Sequence, residues 1–232
     1  MTPTQTKEEL LTLAEQHVRA FFKDRIDEKY VYHDLEHTLN VRDAARDISE
    51  YFSLNEREHR LLKLAALFHD TGYDHGPQDH ESRSASYART FLEKHEAPEA
   101  DIKVVEECIL ATRFPHQPTT LLQQVLCDAD LAHLGDATYW DRCGRVRQEL
   151  ATVQNILMSE PEWVDFELQF MKKHRYFTAA AEELYGAGKR KHLKQLNKQK
   201  KRLHPTVKDL SKIDEPAKGQ KSPKKKKSKK KR

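Results

Sequence analysis

The 232-residue chain has only three cysteines, Cys108, Cys127 and Cys143, and only seven glycines. Three is an odd number and no two cysteines stand in a CxxC spacing, so neither a disulfide framework nor a thiolate zinc site is indicated. Such usage fits a reducing compartment. Apolar runs are short as well. None approaches the roughly 18 residues that a membrane helix requires, and the polar, acidic start MTPTQTKEELLTLAEQ lacks the apolar centre of a secretory signal. A soluble, cytoplasmic protein is expected. No stretch of four or more residues alternates strictly with β-branched side chains on one side, which argues against strands. Neither GxxxxGK[ST] nor a glycine-rich dinucleotide fingerprint occurs, which disfavours kinase-like transfer and nicotinamide chemistry.

What the chain has is charge, at 34% of its residues, and good helix formers. The charge is uneven. Residues 189–232 hold 20 of the 41 Lys/Arg and only Asp209, Asp214 and Glu215 among the acids, giving +17 there and about −13 over residues 1–188. A helical domain over 1–188 and a lysine-rich tail over 189–232 are therefore expected. Leu193, Leu196 and Leu203 extend a basic helix to about Leu203, and Pro205, Pro216, Pro223 and the lysine runs then predict disorder. Such a tail attracts nucleic acid weakly and in a salt-dependent way.

Within the domain the apolar spacing is helical. Thr6-Lys7-Glu8-Glu9 reads as a capping box before a helix to about Phe22, followed by a loop over 24–31. Leu39, Val41, Ala44, Ala45, Ile48 and Phe52 form a second stripe, placing His33 and His37 on one face if the helix begins before them. Asn55 caps a third helix. Its apolar run ends in His69-Asp70, with Gly72 as the expected stop. Further helices are expected from His80, over 99–112, and around 138–158, 162–174 and 178–185, and the apolar residues Leu121, Leu122, Val125 and Leu126 lead into Cys127-Asp128-Ala129-Asp130-Leu131. The fold class is all-α.

Two stretches share a device, an apolar run ending in metal-ligand residues: His69-Asp70, and Cys127-Asp128-Ala129-Asp130. Buried imidazole and carboxylate groups need compensation, and a divalent cation supplies it. Helices converging on a bundle interior can assemble a site from residues as distant as His37, His69, Asp70 and Asp130. Any one of them alone would more ordinarily be a hydrogen-bonded core residue.

These four residues in this order, within the segments YHDLEHT, ALFHDTGY, HESRSA and DADLAHLG, resemble the HD superfamily of metal-dependent phosphohydrolases, in particular its small bacterial members. The resemblance spans roughly residues 30–185. It implies an HD-type helical bundle with a metal held by His37, His69, Asp70 and Asp130. By analogy with the YHNxxH segment of related phosphodiesterases it makes His33 the proton donor, with Asp34 standing where those relatives have Asn. Asp130 is preferred over Asp128 because relatives with one carboxylate keep the one directly before the Leu. Asp128 is then a residue orienting a ligand, or else a helix cap. His80 and His116 fall in the interval where two-metal members carry extra ligands, so either can meet a second metal or substrate, or be an ordinary exposed histidine. Glu81 is a candidate general acid or base, with stabilisation of its helix start as the alternative. Arg113 is a candidate phosphate contact, with a surface ion pair as the alternative.

The activity so implied is hydrolysis of a nucleotide or other small phosphate ester by metal-activated water, with one or two ions per chain. The ligand types suit Mn, Fe, Co, Ni, Mg or Zn and do not separate them. Two rivals belong to other classes. A di-iron oxygenase would need six protein ligands, which His80 and His116 would complete, and a nucleic-acid-associated protein with a vestigial site would work through the tail. Substrate identity and oligomeric state are not encoded in these patterns.

Overall fold

In a computed structural model, residues 7–204 are described. They form nine α-helices: α1 Lys7–Arg25, α2 Leu35–Ser49, α3 Glu56–Phe68, α4 His80–Lys94, α5 Glu99–Ala111, α6 Leu121–Asp130, α7 Tyr139–Val153, α8 Glu160–Lys173 and α9 Ala179–Leu203. Short 3₁₀ turns occupy Thr71–His75 and Ala132–Leu134. No strand occurs among the described residues. Thr6, and with it the expected first capping box, lies outside them, as do residues 205–232.

Helix α3 is the axis of the larger core. Asn55 and Glu58 close the capping box at its start. Every residue from Leu64 to Phe68 is buried, together with Leu61 and Leu62, and the helix packs against α1, α2, α4, α5 and α6. Each of its large apolar side chains contributes roughly 1.5–3 kcal/mol on burial, which holds the residues following Phe68 at the protein centre. A second core, of Tyr139, Cys143, Trp163, Leu168, Met171 and neighbours, lies between α7 and α8. Helix α9 joins the two. Ala180 and Ala181 belong to the first core and Leu196, 1% exposed, to the second.

One expectation is corrected here. Helix α2 starts at Leu35 with Asp34 as its N-cap, so His33 precedes the helix rather than sharing its face with His37. Helix α9 runs unbroken for 25 residues to Leu203, the end expected for the basic helix, and Gly186 and Gly188 do not interrupt it. Gly188 serves packing. A Cβ on Gly188 would lie 1.7 Å from the Gly135 carbonyl oxygen, so α9 and the turn after α6 meet backbone to backbone. Gly188→Ala is expected to destabilise the fold by about 3 kcal/mol through overpacking. An unchanged denaturant midpoint would show that this contact is dispensable.

Candidate metal centre

Local structure delivers each candidate ligand to one point. The Asp34 carboxylate accepts the His37 backbone N–H at 2.7 Å and is itself held by Arg145 at 3.1 Å, which fixes the first turn of α2. His37 is buried there. At the end of α3, His69 Nδ1 donates to the Ala66 carbonyl at 2.8 Å, leaving Nε2 as the free ring nitrogen. Asp70 follows, and the chain tightens into the 3₁₀ turn as the Thr71 hydroxyl donates to the Phe68 carbonyl. Gly72 is not a left-handed helix stop. It lies where the His80 carbonyl approaches so closely that a Cβ would come within 2.1 Å, and this contact brings the start of α4 against the site. Asp130 is the last residue of α6.

The four side chains converge. His37 Nε2 lies 3.1 Å from Asp130 Oδ1 and 3.4 Å from Asp70 Oδ2. His69 Nε2 lies 3.1 Å from Asp70 Oδ2 and 3.6 Å from Asp130 Oδ1. One ligand atom each from His37, His69 and Asp70 fits within a mutual 4.8 Å. Despite this proximity His69 Nε2 and Asp70 Oδ2 have no hydrogen-bond partner although both are buried. Leaving a buried polar atom unsatisfied costs about 1–3 kcal/mol, and charged ones cost more. Burial opposes ionisation of Asp70, but His69 outweighs it and holds the carboxyl well below the usual range. Asp130 is likewise depressed, its burial outweighed by His37 and His69. Two ionised carboxylates beside two imidazole Nε2 atoms, that of His37 hydrogen-bonded to Asp130 and that of His69 without a partner, match the charge and donor types of a divalent ion. The residues present fit a metal.

Beside this cluster sits a second set of groups. His33 Nδ1 is hydrogen-bonded to a Glu149 carboxylate oxygen, and Glu149 also accepts the backbone N–H groups of Tyr32 at 2.9 Å and His33 at 3.1 Å. On the other side His33 Nε2 is 2.9 Å from the Tyr73 hydroxyl, and the His33 and Tyr73 rings stack at 4.0 Å. Burial works against the His33 charge, but the Glu149 bond and the carboxylates of Asp70 and Asp130 raise its pKa above the ordinary value. Glu149, on α7, was not singled out from sequence. The available signal was its place at helical spacing from Tyr139, Cys143 and Val146, a carboxylate on an otherwise apolar stripe. His133 also borders the site, with Nδ1 3.4 Å from the Tyr32 hydroxyl. Burial and the neighbouring His37 push its pKa down to about 4, so it is neutral. A groove of about 210 Å³ reaches His37, Asp130 and His133 from outside, past Asp43, Asp47 and Asp136.

The other expected residues separate. His80 stands beside the cluster, its Nε2 3.6 Å from Asp70 Oδ1 and its Nδ1 bonded to the Pro77 carbonyl. Glu81 is buried, with its carboxylate 3.7 Å from His80 Nδ1 and 3.6 Å from Arg113. Arg113 is half exposed and donates to Ser82. No contact joins Glu81 or Arg113 to His37, His69 or Asp130 among the described residues. Asp128 does not orient a metal ligand. Its carboxylate accepts the backbone N–H groups of Phe177 and Thr178, both at 2.8 Å, and the Thr178 hydroxyl at 2.7 Å, so it anchors the start of α9. His116 lies apart from the cluster, in a cleft lined by Phe177 and His174.

These roles separate under mutation. Asp70→Ala should abolish bound divalent metal, measured by elemental analysis, while the chain remains folded. Asp128→Ala should do the reverse, retaining metal but losing about 3 kcal/mol of stability as three buried donors lose a charged acceptor. Metal retained in Asp70→Ala would refute the ligand assignment.

A family model of the HD domain matches residues 34–134, a span holding all four converging ligands but neither His33 nor Glu149. No protein of curated function matches the chain. Among solved structures it is similar to a Listeria innocua protein, at 18% identity and a TM-score of 0.62, over 87% of this chain and 99% of that one. It is also similar to a predicted HD superfamily hydrolase from an uncultured Thermotogales bacterium, at 24% identity and a TM-score of 0.48, over 72% of this chain and 89% of that one. The first likeness extends the shared fold well past residue 134. The four converging side chains all fall inside the matched span, so residues 34–134 of the chain carry the HD-domain match.

Proposed function

We propose that the chain is a divalent-metal-dependent phosphohydrolase acting on a nucleotide or another small phosphate ester in the cytoplasm. The observation that carries this reading is the convergence of His37, His69, Asp70 and Asp130 beside a histidine already equipped to give up a proton. His37, His69, Asp70 and Asp130 would hold the ion, which when bound supplies Lewis-acid charge to a phosphoryl oxygen and acidity to a water.

The protein's own groups supply the proton transfer. The Glu149 carboxylate accepts from His33 Nδ1, fixing the ring orientation and favouring the imidazolium. Nε2, held by Tyr73 in the resting state, is the position from which His33 can protonate a leaving oxygen. His133, neutral and at the groove, offers a hydrogen bond without adding charge. The six-ligand oxygenase is less well supported, because His116 stands in another cleft and only His80 neighbours the cluster. In the last turns of α9, Lys194, Lys198 and Arg202 are exposed, and with the lysine-rich residues 205–232 they support weak, salt-dependent contact with nucleic acid.

A panel of nucleotides and phosphate esters assayed for phosphate release with added Mn²⁺ tests the reaction. His33→Ala should lower kcat by about 10²–10⁴-fold, as loss of a positioned acid does, with metal content unchanged. Glu149→Gln removes the partner that raises the His33 pKa. The protonated form is then lost at lower pH, so the alkaline limb of the rate profile should move toward acid. Loss of metal in His33→Ala would make His33 a ligand, and an unmoved limb in Glu149→Gln would remove His33 as the acid.

A further inference from the structure

Three large aromatic side chains of this chain are exposed and line a single cleft. Phe114 is 66% exposed, Phe166 42% and Phe177 43%, and together with Phe170 they wall a cleft of about 440 Å³. Phe166, Phe170 and Lys173 stand at helical spacing on α8 and give one wall. The segment carrying Phe114 and His116 gives another, with Phe114 and Phe170 at a centroid separation of 6.0 Å and His116 and Phe177 at 6.4 Å. That volume lies in the range of small-molecule sites, which are commonly aromatic with a few polar groups.

The Lys, Arg, Asp and Glu residues of the cleft are of one sign, beside the polar Gln169 and His116. Lys173 and Arg175 line it and no Asp or Glu does, although residues 1–188 carry about −13 in total. Neither cation forms an ion pair among the described residues, although Arg175 donates to the Lys172 and His174 carbonyls at 2.5 and 2.8 Å. The Lys189 ammonium donates to His174 Nδ1 at 2.7 Å, so that ring is neutral with its proton on Nε2. His174 thus adds a donor and no acceptor. The contrast is with the groove at the metal cluster, which passes Asp43, Asp47 and Asp136.

From this juxtaposition of exposed aromatic walls and cations without a carboxylate partner we infer that the cleft is a binding site for a planar aromatic ring bearing an anionic group, the chemistry of a nucleoside monophosphate. The ring packs on the exposed face of Phe114, and the anion meets Lys173 and Arg175. Leu131, which lines the cleft, directly follows Asp130, so the site adjoins the metal centre without sharing its ligands. It stands whether or not that centre hydrolyses phosphate esters.

Calorimetric titration of the full chain with AMP, adenosine and ribose 5-phosphate separates the two halves of the ligand. AMP should bind more tightly than either fragment, while ribose 5-phosphate reports whatever the lysine-rich tail contributes. Phe114→Ala, at a well-exposed position, should weaken AMP and adenosine alike by about tenfold, in keeping with the loss of one stacking partner, and leave ribose 5-phosphate unchanged. Lys173→Ala should bring AMP down toward adenosine. Asp70→Ala should leave AMP binding within about twofold of the parent chain. Equal binding of AMP and ribose 5-phosphate would overturn the inference. So would loss of AMP binding in Asp70→Ala with none in Phe114→Ala, which would seat the nucleotide at the metal centre. A fall in oligomeric mass on Phe114→Asp, without any effect of Phe114→Ala on AMP, would assign the face to a second copy of the chain and overturn it equally.

Discussion

The constraint on which this structure turns is the cost of holding two carboxylates and two imidazoles at the end of a buried helix. Asp70 follows the most deeply packed segment of the chain, Leu64–Phe68, and its Oδ2 has no hydrogen-bond partner. Four helices bring the cluster together around it: α2 brings His37, the end of α3 His69 and, one layer out, α4 His80 as compensating groups, while α6 adds the second carboxylate, Asp130. Mutual attraction among these groups keeps the carboxylates ionised. It leaves His69 Nε2 without a hydrogen-bond partner, and that residual donor capacity is what a cation takes up.

The supporting elements read as consequences of that demand. The Asp34 cap and its arginine partners on α7 fix the turn carrying His37. Asp128, two residues before Asp130, ties α6 to the start of α9, so the helix presenting a ligand is braced by the helix that spans both cores. Glu149 performs the same service for His33 from α7. Asp34 and Glu149 set the position of a candidate ligand or proton donor, whereas Asp128 holds the two helices together.

The sequence patterns reached some of this and missed the rest for identifiable reasons. His69-Asp70 was legible because an apolar run ending in ligand residues is a local signal, and Asn55 was legible as a cap for the same reason. His33 was misplaced because a four-residue spacing implies a shared face only inside a helix, and Asp34 starts the helix after it. Gly188 was read as punctuation, whereas a glycine in a helix can equally mark where another backbone comes close, and no local pattern separates the two. Asp128 and Asp130 look alike in sequence. Only the path of α9, some 50 residues later, assigns one to a cap and the other to the cluster. The aromatic cleft was invisible for a similar reason, since Phe114, Phe170 and Phe177 come from three segments that meet only in three dimensions.

The central claim is that His37, His69, Asp70 and Asp130 together form one cation site. Anomalous diffraction from crystals of the full chain grown with Mn²⁺ tests it most directly. The account predicts a strong peak within coordination distance of both imidazole Nε2 atoms and of both carboxylates, about 2.0–2.3 Å for such ligands. Ordered crystals in millimolar Mn²⁺ with no peak there, and His69 Nε2 instead bonded to a protein group, would contradict it.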